Sequence, residues 1–142
     1  MKTSARNQYP GEVRRITTDA VNDEVELSLP GGQVIVAVLT RHSSEALGLK
    51  PGMSAFALIK ASSVIVASDV QGARFSARNC LHGTVSKLVA GAVNTEVVID
   101  LPGGAQVAAI VTRSSADRLG LGVGKPATAI IKASSVILGV ET

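Results

Sequence analysis

The sequence predicts a mostly β protein made of two tandem five-stranded barrels, each with one short helix between its third and fourth strands. Two observations predict this fold class. First, Ser4-Ala5-Arg6-Asn7 returns as Ser76-Ala77-Arg78-Asn79, and the same offset aligns the rest of the chain without a gap. Second, apolar residues within one repeat recur mainly at a spacing of two, which is typical of strands. We place the repeats at residues 1–70 and 73–142.

The first repeat begins with two predicted strands. The first runs from about Ala5 to Ile16, and Gly11 in its middle indicates a bulge or a sharp coil. The second strand has one wet face, because apolar side chains alternate with polar ones. Its apolar positions are Val21, Val25, Leu27 and Leu29, and its polar positions are Asn22, Glu24, Glu26 and Ser28. Pro30-Gly31-Gly32 then ends the strand in a hairpin turn.

Three further elements complete each predicted barrel. Residues 34–39 are continuously apolar, which predicts a third strand that is buried on both faces. A short helix follows, for which Ser43 can provide the N-cap and Gly48 the end. Residues 55–59 and 64–67 are the last two strands. The resulting order, β-β-β-α-β-β, is that of an OB-fold, a five-stranded barrel with a helix after its third strand.

Composition limits the possible functions. The 142 residues are 46% hydrophobic but only 2% aromatic, so each repeat has a small core and we expect an oligomer. The net charge of +3 favours anionic partners. Cys80 is the only cysteine and there are two histidines, so a zinc site lacks its usual ligands and no metal cation is expected. No signal peptide or membrane-spanning run is present, and a cytoplasmic protein without membrane contact is expected.

One motif is repeated without change: residues 59–65 return as residues 131–137, Ile-Lys-Ala-Ser-Ser-Val-Ile. In each copy a lysine and two serines lie at the junction between two apolar strands. Such a junction can direct backbone N–H groups, a hydroxyl and an ammonium into one small volume, and donors without matching acceptors form an anion site. The alternative is a polar turn that only connects two strands.

The first candidate site combines this junction with the start of the first strand. In a small closed barrel the two can meet, either within one unit or across an interface. They then offer a guanidinium, an ammonium, hydroxyls and N–H groups, a set that suits a tetrahedral dianion. The candidate residues are Ser4, Arg6, Lys60, Ala61 and Ser62, repeated as Ser76, Arg78, Lys132, Ala133 and Ser134. The alternative is that the arginine pairs with a carboxylate such as Glu24 and the serines only terminate strands.

The second candidate site is the loop between the first two strands. Its residues are Ala20, Val21 and Asn22, repeated as Ala92, Val93 and Asn94. Small consecutive residues leave backbone N–H groups accessible, and the asparagine adds an amide donor. The alternative is a plain β-turn with its asparagine in a left-handed conformation. Asp19 precedes the first loop where Gly91 precedes the second, so we expect the first loop to bind an anion more weakly.

The sequence contains no recognisable catalyst. His42 aligns with Ser114, and His82 aligns with Pro10, so neither histidine is kept in both repeats. The serines lack a repeated base with which to form a nucleophile pair. The glycines of the hairpin do not form a phosphate-binding loop pattern.

At Ser-Ala-Arg-Asn, Gly-Ala-Val-Asn-Thr-Glu-Val and Lys-Ala-Ser-Ser-Val, the chain closely resembles the molbindins, the Mop-domain proteins that store or buffer molybdate. The resemblance covers both repeats. It implies an OB-fold of the transport-associated (TOBE) type, with three two-domain chains around a threefold axis. It also implies molybdate or tungstate as the ligand, with storage or homeostasis as the role and no catalytic cofactor. The first candidate set would form oxyanion sites between domains, and the loops would form sites near the axis.

Two rival functions remain open at this point. An OB-fold can bind single-stranded nucleic acid on aromatic platforms, but only Tyr9, Phe56 and Phe75 are aromatic and none is repeated. The motifs could instead serve subunit contacts in an assembly module. The related transcription regulator carries a helix-turn-helix domain ahead of its Mop pair, for which we expect no room before Ser4. The related transporter ATPase requires a Walker motif, and this sequence has none.

Overall fold

The computed structural model describes residues 1–141, so Thr142, the last position of the second repeat, lies outside the described residues. The described chain is mostly β, as predicted, with ten strands and two short helices. The strands of the first repeat are β1 (Asn7–Thr18), β2 (Asn22–Ser28), β3 (Val34–Thr40), β4 (Ser54–Ile59) and β5 (Ile65–Ala67). Those of the second are β6 (Asn79–Ala90), β7 (Asn94–Asp100), β8 (Gln106–Thr112), β9 (Pro126–Ile131) and β10 (Ile137–Gly139). Helices α1 (Arg41–Leu47) and α2 (Arg113–Arg118) follow β3 and β8.

Each five-stranded sheet takes one strand from the other repeat. The strand orders are β10-β4-β1-β2-β3 and β5-β9-β6-β7-β8. Thus β10 pairs with β4 through Ile137 and Leu58, and β5 pairs with β9 through Ile65 and Ile130. Contacts of β10 with β3, and of β5 with β8, bring the two edges of each sheet together as in a barrel. The repeats of the sequence therefore do not complete their own sheets, and the two barrels are interlocked.

The interlocking gives the molecule one continuous core. Buried side chains from both repeats form a single cluster, including Leu27, Ile35 and Ile59 from the first repeat and Ile99 and Ile131 from the second. The largest side chains that are less than 2% exposed are aliphatic, as the aromatic-poor composition predicts. Sharing the core helps units of this size to bury enough apolar surface.

A close approach of two strands explains the glycine in β1, and the predicted bulge at Gly11 is wrong. A Cβ atom at Gly11 would lie 2.4 Å from the carbonyl oxygen of Ser28, and one at Gly83 would lie 2.2 Å from that of Asp100. Only glycine allows the neighbouring backbone this near. The register shift that marks the bulge lies instead between Val13 and Arg15.

Three other local expectations need correction. Thr40, rather than Ser43, caps α1, because its hydroxyl oxygen accepts the N–H of Ser43 at 3.1 Å, while Gly48 ends the helix as predicted. Val21 is 67% exposed in the loop, and Asp23 takes the buried position on that face. In β3 only the central residues, 35–37, are fully buried.

Within residues 1–141, no helix is both long and apolar enough to cross a membrane.

Candidate oxyanion sites

The structure brings the first candidate set together at one cavity. Ser4 and Arg6 precede β1 on the chain, and Lys60 follows β4, which pairs with β1 through Ile59 and Asn7. The cavity has a volume of about 420 Å³. All five candidates line it, namely Ser4, Arg6, Lys60, Ala61 and Ser62, together with Thr3, Ala5, Leu58, Ile110 and Ile137. No carboxylate of residues 1–141 lines this cavity, and two of its walls, Ile110 and Ile137, come from the second repeat.

A tight turn presents the backbone donors of this cavity. Residues Ala61–Ser63 form a 3₁₀ turn, in which the N–H groups of Ser63 and Val64 donate to the carbonyl oxygens of Lys60 and Ala61. The N–H groups of Ala61 and Ser62, at the start of the turn, have no acceptor within it. The repeated serines therefore belong to a 3₁₀ turn that connects two strands.

The second copy of this turn has the same backbone geometry. Ala133–Ser135 is again a 3₁₀ turn, and Lys132 has φ −66° and ψ 132°, against φ −67° and ψ 131° for Lys60. Ser76 and Arg78 precede β6, which pairs with β9 through Asn79 and Ile131, so the register of the first set is reproduced. The first turn contacts β8 and the second contacts β3, so each set lies at the boundary between the repeats.

Both arginines form ion pairs across this boundary. Arg6 contacts Glu96 at 2.5 Å, and Arg78 contacts Glu24 at 2.7 Å. The alternative in which the arginine pairs with a carboxylate is therefore observed. The hydrogen bond and the charge of Glu96 raise the pKa of Arg6, and the hydrogen bond from Arg6 lowers the pKa of Glu96. A guanidinium has five N–H donors, so one carboxylate leaves others available to a ligand.

The lysines, by contrast, carry charges that this chain does not neutralise locally. Lys60 and Lys132 are exposed, and neither has a carboxylate oxygen within 4.0 Å in residues 1–141. An ammonium beside free N–H groups and serine hydroxyls attracts an anion and donates to it.

The second candidate set lies in two exposed loops with unequal surroundings. Asp19 Oδ1 accepts the N–H groups of Val21 at 2.8 Å and Asn22 at 2.7 Å. These hydrogen bonds, that from Asn22 foremost, lower the pKa of Asp19. Gly91 holds the equivalent position before Ala92, Val93 and Asn94 and has no side chain. None of the asparagines has the left-handed conformation of the plain-turn alternative, because the only non-glycine residue with positive φ in residues 1–141 is Asp69.

Sequence reasoning missed two buried residues that position the first candidate set. Asn7 hydrogen-bonds with both backbone groups of Ala108, and Asn79 does the same with Val36. Each asparagine follows the arginine of its set and ties the start of its strand to the other repeat. The signal was available, because the repeated Ser-Ala-Arg-Asn motif ends on these asparagines, but their partners are far away in sequence.

His82 and the potential metal-ligating side chains were also located in the structure. His82 contacts the Thr128 hydroxyl through Nδ1 at 2.8 Å, beside the turn that joins the repeats. In residues 1–141, no three side chains from His, Cys, Asp and Glu are grouped so that they could hold a metal ion.

Two interlocked barrels with a helix after each third strand, and with matching 3₁₀ turns at the boundary between the repeats, define a tandem OB-fold protein. The model of the TOBE domain matches the chain twice, over residues 3–66 and 76–138. The chain therefore belongs to the TOBE-domain family, with two copies of the domain. This confirms the resemblance to the tandem Mop-type proteins, which are built from such domains.

Several known proteins share this organisation. The molybdenum-pterin-binding protein MopA of Rhodobacter capsulatus is 49% identical over 138 residues, covering 97% of this chain and 52% of MopA. The DNA-binding transcriptional dual regulator ModE of Escherichia coli strain K12 is 34% identical over 139 residues, covering 97% of this chain and 52% of ModE. The chain thus spans about half the length of the curated relatives it matches.

A solved structure matches over its whole length. It is that of the cytoplasmic molybdate-binding protein ModG in a form with molybdate bound. The TM-score is 0.95 at 45% identity, and the match covers 99% of this chain and 100% of ModG. The predicted fold class is thereby confirmed for both repeats.

Proposed function

We propose that this chain binds molybdate, accepts tungstate equally, and serves the storage and homeostasis of molybdenum in the cytoplasm without catalysing a reaction. One observation carries the proposal. Ser4, Arg6, Lys60, Ala61 and Ser62 converge on one cavity, which also has apolar walls from Leu58, Ile110 and Ile137 and to which no carboxylate of residues 1–141 contributes. The matching geometry of the second turn supports an equivalent site at Ser76, Arg78, Lys132, Ala133 and Ser134.

The chemistry of this donor set fits a tetrahedral dianion. Four oxygens carrying two negative charges can accept hydrogen bonds from N–H groups, a serine hydroxyl and an ammonium together. The backbone donors of Ala61 and Ser62 are fixed by the 3₁₀ turn, so they need little reorganisation when the anion enters. Hydrogen bonds with a charged partner are also roughly twice as strong as neutral ones.

Two relatives support the identity of the ligand. MopA is named as a molybdenum-pterin-binding protein, and the ModG structure contains molybdate. ModG is described as cytoplasmic, which supports the proposed location of this chain. No separate redox or catalytic cofactor is proposed, because molybdate is the cargo.

The assembly belongs to the proposal as well. We propose a homotrimer in which the repeats 1–70 and 73–142 act as the two domains of each chain. Ile65 and Ile137, on the short edge strands β5 and β10, are each 63% exposed, and apolar side chains on sheet edges favour pairing with another copy. Ile137 also lines the first cavity, so a neighbouring chain at this edge would help to enclose the anion.

No nucleic-acid ligand is proposed. A protein that binds single strands by stacking needs exposed aromatic side chains along its groove. Tyr9 is buried in the core, where its hydroxyl donates to the carbonyl oxygen of Gln106 at 2.7 Å, and Phe56 is half-buried. Phe75 is 44% exposed, but a single ring does not form a row of stacking platforms. The alternative in which the motifs only serve subunit contacts is tested by the equilibrium dialysis described next.

Equilibrium dialysis against molybdate, followed by elemental analysis, tests the function. The wild-type chain should retain molybdenum, tungstate should displace it, and sulfate at equal concentration should not. A double variant, Lys60→Ala with Lys132→Ala, should retain less, whereas the charge-matched control Lys2→Ala with Lys50→Ala should behave as wild type. Retention of no molybdenum by the wild-type chain would contradict the proposal, and ready displacement by sulfate would contradict a preorganised cavity.

A further inference from the structure

In the first loop, the side chain of Asp19 already occupies the N–H groups proposed to bind an anion. Its Oδ1 accepts from Val21 at 2.8 Å and from Asn22 at 2.7 Å. Two donors on one carboxylate oxygen form a charge-assisted arrangement of the kind that an oxyanion would seek. The chain therefore supplies its own anionic ligand to this loop.

The second loop has the same turn without that ligand. The backbone N–H of Gly91 donates to the carbonyl oxygen of Asn94 at 2.7 Å, as that of Asp19 does to Asn22 at 2.9 Å. Because Gly91 has no side chain, the N–H groups of Val93 and Asn94 lack a carboxylate partner from this position. The loop is also open, since Val93 is 71% exposed.

A second acidic residue distinguishes the two loops. Asp23 directly follows the first loop, is only 5% exposed, and its Oδ1 has no hydrogen-bond partner within residues 1–141. The equivalent residue after the second loop is Thr95, which is as deeply buried but neutral. The first loop thus carries two acids at positions where the second loop carries none.

The arginine that follows each loop differs in whether its side chain is paired with a carboxylate. The backbone N–H of Arg41 donates to Val21, and that of Arg113 donates to Val93, so the two arginines hold equivalent positions. Arg41 Nε is paired with Glu45 at 3.2 Å. Arg113 has no carboxylate oxygen within 4.0 Å in the described part of the chain. Of the two arginines, Arg41 is therefore the one whose side-chain charge is paired with a carboxylate in the described part of the chain.

We propose that Asp19 is a built-in competitor that closes the first loop to oxyanions, so that only the loop Ala92-Val93-Asn94 takes a tetrahedral dianion such as molybdate. This inference rests on the proposed function, because it states which of the two loops is competent. It differs from simple charge repulsion, since the donors themselves are occupied. Asp19 is ionised at neutral pH as an ordinary aspartate is, and its hydrogen bonds with Asn22 and Val21 lower its pKa further, so the competition persists under ordinary conditions.

Three variants separate occupied donors from charge repulsion. Asp19→Gly removes the competitor and reproduces the second loop, whose turn already accommodates glycine. Asp19→Asn removes the charge but keeps a side-chain oxygen that can accept the two N–H groups. Gly91→Asp installs the competitor in the second loop; its Cβ would lie 2.8 Å from the carbonyl oxygen of Asn94, a contact that the turn at Asp19 shows can relax. Glu12→Gln, an exposed change of equal charge in the middle of β1, is the control.

Calorimetric titration with molybdate at low and high salt measures the outcome. Asp19→Gly should add a binding step at both salt concentrations. The affinity of the first loop for molybdate should be roughly ten- to a hundredfold higher in this variant than in the wild-type chain. Asp19→Asn should add little, Gly91→Asp should remove the step of the second loop, and Glu12→Gln should match wild type. Equal isotherms for wild type and Asp19→Gly would overturn the inference. So would an equal gain from Asp19→Asn that high salt abolishes, because charge would then be the cause.

Amide hydrogen exchange without ligand gives an independent readout of the competitor. In the wild-type chain the amides of Val21 and Asn22 should exchange more slowly than those of Val93 and Asn94, and Asp19→Gly should remove the difference. Equal exchange in the wild type would overturn the inference even if molybdate binds. If the wild-type chain binds no molybdate at all, the proposed function fails and this inference fails with it.

Discussion

The side-chain amide of Asn7 forms two hydrogen bonds with the backbone of Ala108, in the opposite repeat. Its Nδ2 donates to the Ala108 carbonyl oxygen at 2.8 Å, and its Oδ1 accepts the Ala108 N–H at 2.7 Å. The amide thus pairs with β8 as a neighbouring strand would. Asn79 forms the same pair with Val36, at 2.8 Å for both hydrogen bonds. The two asparagines fasten the interlocked barrels and hold the arginines beside them at the boundary between repeats.

Asn7→Ala should destabilise the chain strongly. It leaves the N–H and the carbonyl of Ala108 without partners, together with one acceptor at Ile59, and Asn7 itself is only 2% exposed. Each unsatisfied buried group costs about 1–3 kcal/mol, and because Ala108 is only half-buried we use the lower part of that range and expect a loss of about 2–4 kcal/mol in the free energy of unfolding. Urea denaturation measures it, with Gln71→Ala on the exposed linker as control. Equal stability of the two variants would show that Asn7 does not stabilise the contact between the repeats.

Gly11→Ala should also destabilise the chain, through steric overlap. The added Cβ would lie 2.4 Å from the Ser28 carbonyl oxygen, which is backbone and can move only if β2 shifts away from β1. Overpacking of this kind costs about 1–3 kcal/mol. Gly122→Ala is the matched control, because its Cβ would meet only the Lys125 side chain, at 3.5 Å. A thermal melt of both variants tests the prediction, and an unchanged Gly11→Ala melt would contradict it.

Fold class and most element positions follow from the sequence, because a spacing of two and the Pro-Gly-Gly turn depend only on local residues. The exchange of β5 and β10 does not follow. Both strands continue from the same Lys-Ala-Ser-Ser-Val-Ile segment, so nothing local specifies whether Ile65 pairs with β4 or with β9. The roles of Asn7 and Glu96 were hidden for a related reason, since their partners lie in the other repeat.

In the candidate site, too, some residues could be predicted from the sequence, whereas their contacts could be found only in the structure. The repeated motif identified Lys60, Ala61 and Ser62, because an unchanged polar junction is visible in the letters alone. The ion pair of Arg6 with Glu96 and the hydrogen bonds of Asp19 depend on geometry. The sequence indicated that Asp19 would oppose an anion, but only the structure shows that it occupies the donors of Val21 and Asn22.

Arg6→Ala and Glu96→Gln should have opposite effects on molybdate binding. The first removes a charge-assisted donor and leaves the Glu96 carboxylate unpaired, so affinity at that site should fall roughly ten- to a hundredfold. The second frees the guanidinium of Arg6, so affinity should be kept or increased. Calorimetry on both variants provides the measurement. If both lower the melting temperature alike and leave affinity intact, the pair is structural and Arg6 does not bind the anion.

The Asp19 carboxyl should titrate below the ordinary range of an aspartate. The N–H groups of Asn22 and Val21 bind its ionised form and lower its pKa in the folded chain. A group of this kind contributes stability that is present above its unfolded-state pKa and lost as the pH falls through the lowered folded-state pKa. An NMR titration that follows the Asp19 carboxyl carbon and the Val21 amide tests this, with Asp19→Asn as the reference. An ordinary pKa would indicate that the two hydrogen bonds do not form in solution.

A crystal of the wild-type chain, grown with tungstate and measured near a tungsten absorption edge, tests the proposed sites most directly. We expect an anomalous peak in the cavity lined by Ser4, Arg6, Lys60, Ala61 and Ser62, and an equivalent peak beside Lys132. We also expect a peak at the loop Ala92-Val93-Asn94 and none at the loop beside Asp19. Tungsten bound in stoichiometric amount but located elsewhere would contradict this assignment of the sites. A crystal that contains no tungsten, from a chain that also retains none in dialysis, would contradict the proposed function.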